Sequence, residues 1–297
     1  MPQTQHRNPD AVTGGRMPAG SDVQPKKKFG LAAFAQRAVY GVAYAALFMG
    51  CLVHGRIATA LFVAIMAALC CQEFFRMVRL DGKVPNEPIG LLNTVLFPLA
   101  ALGRSELIFL VMSLLMVEVG LWYVSSPRTR IADVCVTLFG PIYTGFMLSS
   151  VVLTRGSLNG NAGALLSVGV CATLWLSDSF AYMVGSKLGR HKMVPKISPN
   201  KSWEGFIGGL AGGVLVWVIL WFTGWYRMEL WFAVLTGAII TCLGVIGDLI
   251  ESRMKRAVGV KDSGNLMPGH GGMLDRTDSL IFGGMAAFLI LTLRGII

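Results

Sequence analysis

Charge is scarce in this chain. Asp, Glu, Lys and Arg make up 14% of its 297 residues, against about 25% in a soluble domain. With 54% hydrophobic residues and a mean hydropathy of +0.61, that deficit excludes a soluble globular fold. Period-two alternation is also missing, which excludes a membrane barrel and leaves helices to satisfy the backbone in lipid. The six cysteines, Cys51, Cys70, Cys71, Cys135, Cys171 and Cys242, all fall in apolar segments. None has C-x-x-C or histidine-paired spacing, so they read as small buried hydrophobes, neither disulfide framework nor metal site. There is no G-x-x-x-x-G-K-[ST] loop, no G-x-S-x-G elbow and no H-E-x-x-H helix. P-loop and covalent-hydrolase chemistry are therefore unsupported. Residues 1 to about 29 lack the apolar core of a signal peptide, and no internal repeat of the inverted-topology transporter kind is visible.

What remains is a pattern of long apolar runs. Nine segments stand out, at 38–53, 57–75, 89–103, 107–124, 131–153, 162–184, 206–224, 229–250 and 279–296. The first and third are short, since roughly 17–25 residues cross the hydrocarbon. The expected fold is an all-α polytopic membrane protein with about nine transmembrane helices and a cytoplasmic N-terminus. Residues 1–30, rich in Gly, Pro and Gln and ending near Lys26, Lys27 and Lys28, read as a disordered basic tail lying near anionic headgroups. N-terminal transmembrane helices are expected over 31–160 and a C-terminal transmembrane catalytic domain over 161–297.

The charges test that count. With nine spans, 21 of the 26 basic residues face the cytoplasm, and only Arg56, Arg104, Arg155, Arg227 and Arg294 lie outside. This is the asymmetry that cytoplasmic loops carry, and it accounts for the net charge of +10 without nucleic acid. Trp217, Trp221, Trp225 and Trp231 are expected as anchors at the outer interface. The two largest cytoplasmic loops would be 185–205 and 251–278.

Acids converge on the same side. Asp178 lies near the cytoplasmic end of the sixth segment, with Tyr182 one turn on. Asp248 and Glu251 are i,i+3 neighbours at the end of the eighth, and Asp275 and Asp278 repeat that spacing just before the ninth. An ionised acid in lipid costs at least about 2.5–3.5 kcal/mol. A hard cation such as magnesium, held by carboxylates and substrate phosphates, would offset this. Pairing with Arg253, Lys255 or Arg276 as structural salt bridges is the other reading of each single acid, and the convergence of the whole set favours metal.

Bases fill the loops. Lys187, Arg190, Lys192, Lys196 and Lys201 make either a polyphosphate receiver or a headgroup patch. Ser198-Pro199 can open a turn, and Ser202 can cap a helix starting near Trp203 and aim its N–H groups at a phosphate. Gly269, Gly271 and Gly272 around His270 allow close backbone approach to a ligand. Gly205, Gly209 and Gly213, spaced by four, read as helix packing in lipid. Glu73, Glu118 and Asp133 have no role legible at this level, beyond Glu73 bracing or lining a cavity.

The run Ser252-x-x-Lys255-Arg256-x4-Lys261-Asp262-x-Gly264-x3-Pro268-x-His270-Gly271-Gly272-x2-Asp275-Arg276-x-Asp278 closely resembles the signature of the phosphatidate cytidylyltransferases (CDP-diacylglycerol synthases). Asp178-Ser-Phe-Ala-Tyr182 and Ser198-Pro-Asn-Lys-Ser-Trp-Glu-Gly-Phe-Ile-Gly-Gly209 are similar to that family too. Ser179 and Ser202 stand where many members have threonine, and the hydroxyl is retained. The resemblance is specific over about 175–285 and general before it. It implies that CTP and phosphatidic acid give CDP-diacylglycerol and pyrophosphate, with an active site at the cytoplasmic ends of the C-terminal helices. Asp248 and Asp275 are the leading magnesium ligands, with Asp278, Asp178 and Glu251 in support and a second cation allowed for. Lys201, Lys255, Arg256, Lys261 and Arg276 are expected to hold phosphates, and Ser198 and His270 to line the nucleotide site. Asp248, Asp275, Asp278, Lys201 and Lys255 are thus the expected catalytic set. The resemblance also implies a homodimer in a bacterial inner membrane. A transporter with an intramembrane acid pathway would place acids at mid-depth, and another CTP- or polyprenol-linked transferase would share the metal site but differ in its lipid cavity.

Overall fold

The computed structural model describes residues 31–103, 105–266 and 271–297. The tail of residues 1–30, Arg104, Pro268, Gly269 and His270 lie outside the described residues. In chain order the helices are α1 (Leu31–His54), α2 (Arg56–Leu80), α3 (Glu87–Ala100), α4 (Ser105–Ser125) and α5 (Ile131–Pro141). A π turn (Ile142–Phe146) leads into α6 (Met147–Ser157), followed by α7 (Gly160–Leu188), a hairpin of β1 (Lys192–Val194) and β2 (Ser198–Ser202), α8 (Trp203–Phe222), α9 (Leu230–Ala257) and α10 (Leu274–Leu293). Pro141, which has no N–H to offer the preceding turn, stands immediately before the π turn, and α5 and α6 run on through it as one rod. Among the described residues seven helices are long and apolar enough to cross a membrane. The two shorter apolar helices, Val39–His54 and Glu87–Ala100, correspond to the segments marked as short from sequence. The protein is an all-α polytopic membrane protein.

The helices outrun their apolar segments on one side of the bundle. α7 continues to Leu188 and α9 to Ala257, and α10 begins at Leu274. Asp275 and Asp278 therefore sit inside α10, not ahead of it, and Glu251 to Arg256 belong to α9 and not to a loop. Hydropathy marks what lipid covers, whereas these polar turns are held by packing and by their own charges. Lys255 and Arg256 in the last turn of α9, and Asp275 in the first turn of α10, each complement the local helix dipole. Between α7 and α8 the turn falls at Pro195–Ile197, earlier than Ser198-Pro199, with Ile197 N–H donating to Val194 O at 3.1 Å. Pro195 presets the turn geometry, while Pro199 sits in β2 of a sheet that has only two strands, both edges. Ser202 caps α8 as expected, its Oγ accepting from Gly205 N at 3.2 Å.

Two antiparallel pairs make the half of the bundle that carries the charged ends. α8 lays Gly205, Gly208, Gly209 and Gly212 directly on α7: a Cβ at Gly209 would stand 2.9 Å from Ser177 O, and one at Gly212 would stand 3.0 Å from Leu176 O. Gly213 instead faces Thr241 of α9. α9 meets α10 through Gly244 against Ser279 and Gly247 against the Asp278 carbonyl. α2 and α6 pack on α10 from the other side, where Cys70 Sγ and Thr277 Oγ1 are 3.1 Å apart. At the far end of the bundle Arg56 donates to Ala101 O, Arg155 donates to Leu52 O, and Arg294 pairs with Glu229. Asp133 pairs with Arg130 and accepts from Val84 N, tying the 81–86 loop to α5. Glu118 accepts from Asn93 between α4 and α3.

Two side-chain expectations change. Trp217 is not an interfacial anchor: it is 0% exposed, in the core between α8 and α9, whereas Trp225 and Trp231 are exposed. All six cysteines are free, but Cys135 is exposed rather than buried, on an outward face of α5. The glycine seam gives a direct test. Gly209→Val is expected to lower stability by about 1–3 kcal/mol through overpacking against α7, read as a lower thermal midpoint of the detergent-purified protein.

Candidate active site

Antiparallel packing of α9 on α10 brings the last turns of one beside the first turns of the other. This puts carboxylate oxygens of Asp248, Glu251 and Asp278 within 4.8 Å of one another. Asp248 and Glu251 share one face of α9 at i,i+3 spacing, and the contact at Gly247 lets the Asp278 backbone approach α9 closely. The Glu251 side chain is 0% exposed. Among the described residues its Oε1 has no hydrogen-bond partner, and its Oε2 meets only the Lys255 ammonium one turn on. Three hard oxygen donors at this spacing, one of them buried and under-satisfied, suit a magnesium-like cation.

Asp275 is placed otherwise. Its Oδ1 accepts from Lys255 Nζ at 2.5 Å, and its Oδ2 accepts from Gly272 N at 2.7 Å and Ser263 N at 2.9 Å, with Ser263 Oγ also at 2.9 Å. The structure therefore groups Asp248 with Glu251 and Asp278, and gives Asp275 to Lys255 and the 258–273 loop. Lys255 contacts both Glu251 and Asp275, so one ammonium joins the acid cluster to the start of α10.

The hairpin supplies the facing wall. Lys201 Nζ reaches Asp248 Oδ2 at 2.6 Å, and Ser252 Oγ donates to Asp248 Oδ1 at 3.1 Å. Arg256 donates to Val260 O at 3.1 Å and weakly to Ile197 O at 3.5 Å, linking the end of α9 to the hairpin turn. Glu204 holds the hairpin base, accepting from Arg190 N at 3.1 Å and pairing with His191 at 2.6 Å. Behind Lys201 opens a cavity of about 530 Å³ lined by Asp178, Tyr182, Lys192, Lys201, Phe206 and Val245, among others. Asp178 and Tyr182, one helical turn apart, thus face the same space as Lys201. Its lining runs from charged to apolar, which suits a ligand with a polar head and a greasy tail. Lys261 and Arg276 are exposed and not among the residues lining this cavity, and Ser198, half-buried in β2, is not among them either. His270 lies outside the described residues.

Of two further residues of this region, one was read from sequence only as bracing or lining a cavity and the other escaped that reading. Glu73 of α2 accepts from Met273 N, Leu274 N and Ser263 Oγ at 2.8–2.9 Å. Its only sequence signal was an acid in an apolar helix. Tyr143 sits in the π turn, 3% exposed, with its ring stacked on Phe139 at 5.2 Å and its hydroxyl without a partner among the described residues. Asp278, Glu251 and Asp248 are the acids in its electrostatic surroundings. Nothing in the sequence marks a π turn except the proline before it.

Fold and site together define a helical membrane enzyme that gathers acids and bases at one end of its bundle, the equipment for handling polyanions. The chain belongs to the cytidylyltransferase family, whose model matches residues 35–294. It is similar to the phosphatidate cytidylyltransferase of Staphylococcus aureus (strain COL), 32% identical over 243 residues that cover 80% of this chain and 90% of that one. The phosphatidate cytidylyltransferase of Bacillus subtilis (strain 168) is 32% identical over 256 residues, covering 83% and 93%. The enzyme of that name from Staphylococcus saprophyticus is 45% identical over a shorter stretch of 109 residues, 37% of this chain and 42% of that one. The family expected from the run Ser252 to Asp278 is the one found.

The ion network makes a stability prediction of its own. Lys255→Met leaves Glu251 and Asp275 without their shared cation. Breaking a buried pair in this way costs about 3–5 kcal/mol, so the variant is expected to unfold at clearly lower denaturant or temperature than the parent protein.

Proposed function

We propose that this protein transfers the cytidylyl group of CTP to phosphatidic acid, releasing pyrophosphate and leaving CDP-diacylglycerol in the membrane. The observation that carries this reading is the meeting of Asp248, Glu251 and Asp278 with Lys201 and Lys255 beside a cavity of mixed polarity, in a chain of this family. A phosphate oxygen of the lipid attacks the α-phosphorus of CTP. The new P–O bond forms as the bond from that phosphorus to the oxygen bridging to the β-phosphate breaks, and the electron pair leaves with pyrophosphate. The attacking oxygen is already anionic, so no general base is needed. The work of the site is to bring two polyanions together and to stabilise charge as it develops.

Asp248, Glu251 and Asp278 are the residues that would hold magnesium, with Asp178 facing the neighbouring cavity. Bound there, the cation would supply Lewis-acid neutralisation of phosphate charge. Lys201 faces the cavity from β2 and pairs with Asp248, so it stands where a phosphate would enter. Arg256, Lys261 and Arg276 are exposed basic residues of the α9–α10 region that would attract the polyphosphate. Asp275 acts through Lys255, fixing where its ammonium points, and does not serve as a primary ligand in this reading. Phe206, Val245 and Tyr182 give the lipid an apolar approach from the side.

The orientation follows from charge. Arg56, Arg155, Arg227 and Arg294 lie toward the end opposite the site, and the basic loops lie at the site end. This asymmetry supports a site end that faces the cytoplasm of a bacterial inner membrane, where CTP is dissolved. A homodimer completes the proposal and rests on family membership alone.

Three outcomes test it. The purified protein should convert labelled CTP and phosphatidic acid to a lipid-soluble product only when magnesium is present. Asp248→Asn should lower turnover by about 100-fold or more; near-normal turnover would sink the ligand assignment, and a product formed only with a polyprenyl phosphate would sink the substrate. For topology, a cysteine at position 196 in a variant stripped of its native cysteines should react with an impermeant maleimide only in inverted vesicles, and one at position 227 only in right-side-out vesicles.

A further inference from the structure

The start of α10 has no cap of its own. Met273 stands at the N-cap position, and no side chain of the α10 sequence satisfies the first N–H groups there. Glu73, 200 residues earlier in the chain, does so instead: its Oε1 accepts from Met273 N at 2.9 Å and its Oε2 from Leu274 N at 2.8 Å. A carboxylate at a helix N-terminus is favoured both by the orphan donors and by the helix dipole. The loop before α10 is shaped to admit it. A Cβ at Gly264 would lie 2.8 Å from Glu73 Cδ, and one at Gly272 would run into Glu73 Oε2. Neither glycine has a positive φ. Both are small for the sake of the carboxylate that lies against them.

The same carboxylate reaches toward the acid cluster. Ser263 Oγ lies 2.8 Å from Glu73 Oε2 and 2.9 Å from Asp275 Oδ2. A hydroxyl has one proton to give, so it donates to one of the two and keeps both within reach. Asp275 in turn holds Lys255, and Lys255 contacts Glu251 of the cluster. An unbroken series of contacts thus runs from α2 through Glu73, Ser263, Asp275 and Lys255 to Glu251.

We propose that Glu73 is a positioning residue for cytidylyl transfer, a carboxylate from α2 that caps α10 and, through Ser263 and Asp275, sets where Lys255 stands beside the acid cluster. The proposal rests on the reading of Asp248, Glu251 and Asp278 as the cation site. It assigns a part in the reaction to a helix outside the Ser252 to Asp278 run. Glu73 touches neither substrate nor cation, and its effect is on the geometry of groups that do.

The test uses the full-length protein in lipid nanodiscs, with Glu73→Gln, Ser263→Ala and Asp248→Asn measured together. Glu73→Gln keeps one oxygen and turns an NH2 toward a donor, and a displacement of about 1 Å in a site can cost on the order of 100-fold. The expected result is a fall in kcat of roughly 10- to 100-fold. Its KM for CTP should change by less than about 3-fold, and half-activation should need more magnesium. Ser263→Ala, which leaves both backbone bonds to Glu73 intact, should move the same two quantities in the same direction by less. If both variants keep the parent kcat and magnesium response, and only the thermal midpoint falls, Glu73 is merely structural and the proposal is overturned. Asp248→Asn separates the two readings. An unchanged magnesium response in that variant overturns the cation site, while a lowered kcat in Glu73→Gln still supports positioning.

Discussion

Lys255 stands between two buried carboxylates, and the arrangement of the site follows from that fact. Its ammonium contacts Glu251 on its own helix and Asp275 on the next. Among the described residues Lys255 is the one partner Glu251 has, while Asp275 also accepts from Ser263 and Gly272, and an unpaired charge taken out of water costs several kcal/mol. The lysine therefore ties the end of α9 to the start of α10 and fixes the level at which Asp248 and Asp278 face each other. Lys201 repeats the device on the other wall, bringing the hairpin to Asp248. Such pairs are weak evidence for stability, since apolar residues of the same volume would serve as well. Their presence here is better explained by what a polyanionic substrate requires of the site than by folding.

Much of this was legible in the residues. Low charge and long apolar runs pointed to a helical membrane protein, and the shortness of two segments was visible before the helices were. The i,i+3 pairs Asp248/Glu251 and Asp275/Asp278 lay on helices at the same end of the bundle, although α10 begins early enough to include the second pair. The Ser202 cap and the glycine spacing of α8 also read correctly, because each depends on local backbone geometry that one residue type satisfies best. The family was legible from the fixed positions between Ser252 and Asp278.

What was hidden depended on residues far apart in sequence. Spacing could not separate Asp275 from Asp248, because the partner that claims Asp275 is a loop serine and two backbone N–H groups brought in by folding. Trp217 looked like its interfacial neighbours, and only the packing of α9 against α8 buries it. The hairpin turn moved to Pro195 because two prolines competed and Pro199 could be accommodated in an edge strand. Glu73 was hardest to read: an acid in an apolar helix states a need for partners without saying which.

The contacts between α9 and α10 also limit how the site could change shape. Gly244 and Gly247 seat α9 on the α10 backbone, with Lys255 engaged at one end and the exposed Glu229–Arg294 pair at the other. Sliding one helix by a turn, about 5.4 Å, would unseat the glycines and strand the buried acids together. That pair of helices is the fixed jaw. Among the described residues the hairpin is tied across the site by Lys201 and the long Arg256 contact, so the facing jaw is fastened by two side chains where the helix pair is fastened along its length.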